Sequence, residues 1–373
     1  MSTPGFPRLF YSKEPIPTTT ILIKNKNESN TKTPKITWST RVVNFEEQDN
    51  FSTNKKILAP YYDNDEGLLD CMDIEDNYDI LPTKSGKFKT IFHVPSALLP
   101  VVVGPKGSKL RELQEITQTS IKVPRVHEVG VPVKITGHNE RSVASARNQI
   151  TLLVLTKREK FASTHFISIP VDSNDIRANF EKFKKSILKD KITRGVDENI
   201  FQNPNKLHMT VEVLSLLDQI EIEHAKQLLS DNVSEIISTH LGKDHYLFRL
   251  KGIEIMNDDP SEVDVLYANV KMDNQEDFND FQEVVDKISN LFYINGYVRK
   301  HYEHIKLHVT LMNSLFRRDE NKSRKTFDAS FIIDKYRDYD FGTAVLKSID
   351  LSIRFTTAAT GYYNSEISIP LQA

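Results

Sequence analysis

Apolar positions along this chain recur with strand or helix spacing only from about residue 83 onward. Before that point no period is sustained, apart from short strand-like pieces at 19–23 and 35–38. In 83–160 the alternation at 88–94 predicts a strand. Residues 96–103 predict a short helix with Ser96 as its N-cap. After the break at Gly104-Pro105-Lys106-Gly107, Leu110, Leu113 and Ile116 recur every third residue and predict a helix over 108–117. Strands at 120–123 and 131–136 follow, then an amphipathic helix over 139–155 capped by Asn139.

Beyond residue 160 the pattern changes rhythm and repeats itself. A strand at 164–170 ends at Pro170, and a helix over 175–189 turns Ile176, Phe180, Phe183 and Ile187 to one face. A loop over 192–205 leads to a strand, then come a helix over 221–241 and strands at 246–255 and 265–271. A second long helix runs from the cap Asn274 to about 291, followed by another strand and a late one at 344–353. Each half thus supplies a strand, a helix and a strand, which predicts an α+β fold of two pseudo-equivalent lobes with a central cleft between them.

Each lobe carries one copy of a six-residue frame: Lys, Leu, His, an apolar residue, Thr and another apolar residue. Lys206-Leu207-His208-Met209-Thr210-Val211 recurs in register as Lys306-Leu307-His308-Val309-Thr310-Leu311. A lone His-x-Thr means little among eleven histidines; the shared frame is the stronger signal. As strands, both copies send Leu207, Met209 and Val211, or Leu307, Val309 and Leu311, into a core. His208, Thr210, His308 and Thr310 then face a polar space, with His and Thr about 6.6 Å apart on each strand. Side by side, the two strands would surround one small anion. One imidazole could take a proton from a nucleophile and the other give one to a leaving oxygen, while the hydroxyls donate to phosphoryl oxygens. No metal or other cofactor is needed. A zinc site is the competing reading, but no cysteine or third histidine repeats with the pair.

Neighbouring residues extend the candidate site. Lys206 and Lys306 lie near enough to lower a histidine pKa or attract phosphate, or are solvated surface lysines. Arg317 and Arg318 lie in a basic loop over 316–325 at the expected mouth of the cleft. Tyr362 and Tyr363 could stack on a base. Glu212 shares a strand face with His208 but sits about 13 Å along it. His165 faces away from Ser168 and has no catalytic role in this reading; His301 and His304 fall in a loop, and 257–260 reads as a turn.

Charge adds what periodicity cannot. The 373 residues carry 49 Lys and Arg against 51 Asp and Glu, a net of −2 that predicts no partner. Residues 83–160 nevertheless hold fourteen Lys and Arg against five Glu and no Asp, a net of +9 suited to a polyanion. Residues 63–79 hold eight carboxylates and no base, with Leu68, Leu69, Met72 and Ile74 interleaved. That segment is a solvated linker, or it docks a protein, or it folds over the basic region. Residues 1–82 as a whole read as a mostly disordered region ending in this acidic stretch. The single cysteine, Cys71, builds no disulfide framework and fits a reducing compartment. Neither a secretory leader nor a membrane span is visible.

These motifs carry two resemblances. The order of elements over 83–160 resembles a type I KH domain, whose GxxG loop clamps single-stranded nucleic acid. It implies RNA-binding roles for Gly104, Lys106, Gly107, Lys109 and Arg111, with 121–123 lining the groove; Pro105 departs from the pattern by removing an N–H. The paired His-x-Thr strands of 161–373 resemble the two-histidine (2H) phosphoesterase superfamily. That likeness implies acid and base roles for His208 and His308, and phosphate-holding roles for Thr210 and Thr310. The pairing of both modules, with Phe201-Gln-Asn-Pro204, 252–260 and 306–317, resembles a family of subunits of a nuclear, helicase-containing complex. What that implies is single-stranded RNA as partner, membership of a complex linked to transcription coactivation and alkylation repair, and a monomer outside it. The expectation is therefore a metal-independent RNA phosphodiesterase, acting on a phosphodiester or a 2′,3′-cyclic phosphate. A non-catalytic RNA-binding adaptor and a scaffold without RNA affinity are the alternatives.

Overall fold

The computed structural model describes residues 78–125, 128, 130–190, 193–241, 246–317 and 324–371, and the backbone of 68–70. The strand-like pieces of 1–57, Cys71, Arg318 and Lys322 lie outside the described residues.

The first described strand, β1 (Leu68–Asp70), belongs to the acidic stretch. It pairs antiparallel with a strand of the C-terminal region, while Tyr78, at the other end of the stretch, donates to Ala144 O at 3.2 Å and to Asn148 at 2.6 Å in the basic region. The basic region follows as β2 (Leu81–Pro82), β3 (Phe88–Phe92), α1 (Leu99–Val103), α2 (Ser108–Thr117), β4 (Thr119–Lys122), β5 (Val133–Gly137) and α3 (Glu140–Arg158). Its sheet has the order β2-β3-β5-β4, all antiparallel. Alternation on β4 and β5 drives Ile121, Val133 and Ile135 inward, onto Leu98, Val102, Leu113, Val143 and Ile150 of the helices. The Asn139 side chain accepts from the Ser142 N–H at 2.8 Å and starts α3, as its position predicts.

The remainder is β6 (His165–Pro170), α4 (Asn174–Lys189), β7 (His208–Leu214), α5 (Gln219–His240), β8 (Leu247–Ile255), β9 (Val265–Lys271), α6 (Gln275–Ile294), β10 (Lys300–Tyr302), β11 (His308–Asn313), α7 (Ser330–Tyr336), β12 (Asp340–Val345), β13 (Ser348–Ile353) and β14 (Ser365–Pro370). Eight strands form one antiparallel sheet in the order β12-β8-β9-β11-β7-β6-β13-β14; β10 instead receives β1. The expected repeat is present as β6-α4-β7 and β9-α6-β11. Its two products, β7 and β11, meet at the middle of the sheet. The late strand expected over 344–353 is two strands lying far apart in the strand order. Only Leu346 and Lys347 separate them, so Val345 and Ser348 are at most about 11 Å apart. The sheet must therefore curl until its two sides approach, as a half-barrel. One face carries α4 and α6, with Phe180, Phe183, Phe281, Val285 and Phe292 packed on Ile167, Ile169, Met209, Val309 and Leu311. The opposite face is the cleft.

Candidate active site

The motif strands β7 and β11 are neighbours and antiparallel, paired at a single register, Val309 against Met209. One step to either side, His308 comes opposite Thr210 and Thr310 opposite His208. The four predicted residues therefore form one cluster on the cleft face. Both imidazoles are buried: His208 is 8 % and His308 4 % exposed, and Thr310 is buried beside them.

The backbone holds the two rings in the same way. His208 Nδ1 lies 2.7 Å from the carbonyl oxygen of Lys206, and His308 Nδ1 lies 2.7 Å from that of Lys306. A carbonyl can only accept, so each ring carries its proton on Nδ1 and leaves Nε2 as the nitrogen that exchanges protons. Burial depresses both pKa values to about 4, against the pull of the carbonyls. For His308, the charges of Lys306 and His208 push the same way as burial. His208 acts on His308 only because the two rings lie within electrostatic reach of each other.

Around this shared core the halves differ. On the His208 side the wall is aromatic. Phe166 lies 5.0 Å from the imidazole and Tyr363 5.6 Å, ring centre to ring centre. Lys206 Nζ sits 4.6 Å over Tyr363 and donates to Thr356 O and Thr357 Oγ1, both at 2.7 Å. Tyr362 reaches Ser168 Oγ at 3.0 Å, and Ser168 reaches Ser352 at 2.9 Å. Burial raises the Tyr362 hydroxyl above its ordinary pKa. On the His308 side the wall is more polar. Tyr267 packs 5.2 Å from the imidazole, lies under Lys306 Nζ at 4.8 Å and donates to Glu254 at 2.7 Å. Asn269 donates to the other oxygen of Glu254 at 3.0 Å. Lys206, Lys306 and Tyr363 thus flank the two imidazoles.

Other expectations are corrected. Glu212 does not share a face with His208. Ser168 pairs with Thr210 and Ile167 with Glu212, so Val211 is an extra residue. This bulge turns Glu212 to the helix side, where Ser289 of α6 donates to it at 2.9 Å. β11 has its irregularity at the equivalent place: Thr310 pairs with Tyr267 and Met312 with Leu266, leaving Leu311 extra. Arg317 is not at the cleft. It follows the far end of β11, about 16 Å beyond His308 even counting only the strand itself. There it pairs with Asp197 at 3.0 Å and donates to the carbonyls of Gly195 and, at 2.9 Å, Lys325. Arg318 is outside the described residues. His301 lies in β10, while His304 pairs with Asp286 at 2.8 Å.

The basic module presents its loop with the glycines divided in role. Gly104 has φ +69°, and a Cβ there would lie 2.6 Å from Lys109 Cβ, so both conformation and packing demand glycine. Gly107 has φ +75° with nothing within 4 Å of a Cβ; its outer side is open to a ligand. It also precedes α2, whose first N–H groups receive no side-chain cap and so point a partial positive charge outward. Lys106 is exposed, but at φ 50° it is strained. Lys109 pairs with Glu112 at 3.2 Å and Arg111 donates to Lys106 O at 3.3 Å. Arg111 therefore braces the loop, a role its charge alone does not suggest.

Sequence reasoning missed Phe166, Ser168, Glu254 and Tyr267 as parts of the cleft. Alternation marks them as one face of their strands, but only the sheet order brings those faces to the motif.

Comparison with known proteins agrees with both modules. Residues 163–371 match the model of the AKAP7 2'5' RNA ligase-like domain, and residues 89–152 that of the KH domain. The chain is 35 % identical over 305 residues to Activating signal cointegrator 1 complex subunit 1 of Mus musculus, covering 77 % of this chain and 85 % of that protein. It is 23 % identical to an uncharacterized protein of Schizosaccharomyces pombe, over 57 % of this chain and 98 % of the other. Among solved structures it is similar to the first KH type I domain of human Vigilin (TM-score 0.21, 23 % identity, 24 % of this chain and 95 % of that one). It is also similar to the TT0787 protein of Thermus thermophilus (TM-score 0.33, 15 % identity, 56 % and 98 %).

Proposed function

The chain belongs to the AKAP7 2'5' RNA ligase-like family, carries a KH domain beside that domain and is similar to the mouse cointegrator subunit, and from this we propose that it is an RNA-binding, metal-independent phosphodiesterase. The observation that carries the proposal is the pair of imidazoles on adjacent strands, each pinned through Nδ1 to the carbonyl two residues before it. Two bases fixed in the same tautomer around one polar space suit in-line chemistry at phosphorus. One Nε2 takes the proton of a ribose 2′-OH or a water as its oxygen bonds to phosphorus. The other, protonated, delivers its proton to the leaving oxygen as the old P–O bond breaks. The hydroxyls of Thr210 and Thr310 donate to the non-bridging oxygens. The acid must gain its proton first. An anionic phosphate beside a desolvated imidazole favours the charged form, so the substrate itself raises the pKa that burial lowers. The Gly107 loop would hold the single strand by its phosphates, with the helix terminus of α2 supplying N–H groups.

By extension from the mouse relative's name, the chain acts as a subunit of such a cointegrator complex. A nuclear, helicase-containing assembly working in transcription coactivation and alkylation repair is the partner this reading expects.

The test is end-labelled single-stranded RNA incubated with the protein in EDTA. Shortened or end-modified products are expected, and none with His208→Ala or His308→Ala. Full turnover by either variant sinks the mechanism. One observation favours a second reading, a non-catalytic adaptor: with both pKa values near 4, the free protein holds no acid at neutral pH. Tight RNA binding without any product would decide for it.

A further inference from the structure

Between β13 and β14, residues 354–364 form a loop tied to the start of the first motif strand. Lys206 Nζ grips Thr356 O and Thr357 Oγ1. A Cβ on Gly361 would fall 2.9 Å from the Asn205 side chain, so the loop runs hard against the residues that lead into His208. From this loop Tyr362 and Tyr363 turn inward, to Ser168 and to the imidazole. Phe355 does the opposite. Its residue is 83 % exposed, the most of any large hydrophobic residue described. It also holds φ at +61°, a left-handed conformation that a bulky side chain adopts rarely and under strain. Single exposed hydrophobics are ordinary; an exposed ring that the backbone is strained to present is not. The Arg354 guanidinium lies over it, 4.8 Å from its centre, and adds a positive charge at the same spot.

We propose that Phe355 is a stacking platform for a nucleobase of a single-stranded RNA whose neighbouring phosphate occupies the two-histidine cleft. The proposal rests on the phosphodiesterase reading above for the position of that phosphate. An aromatic face takes any base, and a guanidinium beside it suits the phosphate on the strand's next step. Because Lys206 fixes the loop to the motif strand, the platform keeps a set distance from His208. The ring would thus hold the nucleotide next to the reacting one, and it favours an oligonucleotide over a lone nucleotide as substrate.

The experiment uses the full chain with Gly107→Asp in the KH loop, so that binding reports the cleft. A fluorescent four-nucleotide RNA is titrated against this protein and against the same protein carrying Phe355→Gly or Phe355→Trp. Glycine is expected to weaken affinity by about 5- to 150-fold, the range of one base–aromatic stack. Tryptophan is expected to retain it. Because the ring packs on little and glycine relieves the φ, the melting temperature should hold or rise. With active protein, Phe355→Gly should raise KM for the tetranucleotide and leave turnover of a 2′,3′-cyclic mononucleotide unchanged. Equal affinity of Phe355→Gly and its parent overturns the proposal, as does a parent that binds no oligonucleotide. A parent that binds but never cleaves sinks the enzymatic reading alone, and the binding comparison still decides for or against the platform. A glycine variant that binds RNA normally but loses a co-purifying protein assigns the ring to a protein contact and overturns stacking.

Discussion

At pH 7 His208 and His308 are neutral in the free protein because burial has taken both to about pKa 4. Catalysis needs one neutral and one protonated ring. The charge of His208 adds to the downward shift of His308, so the pH profile gives apparent constants of the site and not of either ring alone. In kcat/KM, which reports the free enzyme, activity is expected on the acid side of neutrality, falling about tenfold per pH unit on the alkaline limb. In kcat the limb should move to higher pH, since bound phosphate restores the proton. A rate ratio flat from pH 5 to 8 would contradict this. The same shift makes a stability prediction. An unfolded histidine titrates near 6.5, so between about pH 6.5 and 4 the unfolded chain binds protons that the folded one does not. The stability these rings contribute is present above pH 6.5 and lost as pH falls toward 4. Wild type should therefore lose melting temperature across that window faster than His208→Gln/His308→Gln, by thermal scans at each pH.

At the scale of elements, the bulges explain how a strand can serve both core and cleft. Val211 and Leu311 are extra residues one position beyond Thr210 and Thr310. Each resets the alternation, so the residues before it face the cleft in strict register while Glu212 and Met312 return to the interior. The symmetry of the two bulges matches the symmetry of the hexapeptides. In the KH loop, the glycines should behave differently. Gly104→Ala meets Lys109 at 2.6 Å and is expected to lower the melting temperature and RNA affinity together. Gly107→Ala carries only the strain of its φ, roughly 1 kcal/mol. Gly107→Asp sets a carboxylate against the incoming phosphate and should abolish RNA binding at the loop while the fold survives. Circular dichroism melts and RNA titration on the three variants separate these outcomes.

At the scale of the whole molecule, the two modules are joined by buried charge. Arg158, at the end of α3, reaches out of the KH unit to Ser215 O at 2.6 Å and to both carboxylate oxygens of Glu221 on α5. Both side chains are almost fully buried. Glu221 also receives the Leu217 N–H, and Leu217 packs against the KH core. His93 meets Asp218 at 2.7 Å at the same seam. Removing one partner of such a pair strands the other, at about 3–5 kcal/mol. Arg158→Met is expected to split one calorimetric transition into two, the KH unit melting first, and to weaken turnover of long RNA more than of short. A single unshifted transition would show the seam to be weak.

Much of this was legible in the sequence for a physical reason: local patterns are set by local rules. The 3.6 and 2.0 periods located α3, α4, α6 and the motif strands. The in-register repeat of Lys, Leu, His and Thr picked out His208, Thr210, His308 and Thr310, which the sheet brings together. Asn139 and Asn274 announced their helices because a capping side chain acts within three residues. Other features were decided by contacts between residues far apart in the chain. Pairing between β7 and β11 depends on where two crossover helices return their strands, and no window of residues contains that. Glu212 and Arg317 were misplaced because a single inserted residue reverses a strand's faces, and because a loop's side of the molecule follows from strand direction within the sheet. Sequence determined which groups could do the chemistry. Tertiary structure alone decided that the two imidazoles meet, lose their charge to burial and stand beside an aromatic wall, because desolvation and proximity exist only once the sheet has curled.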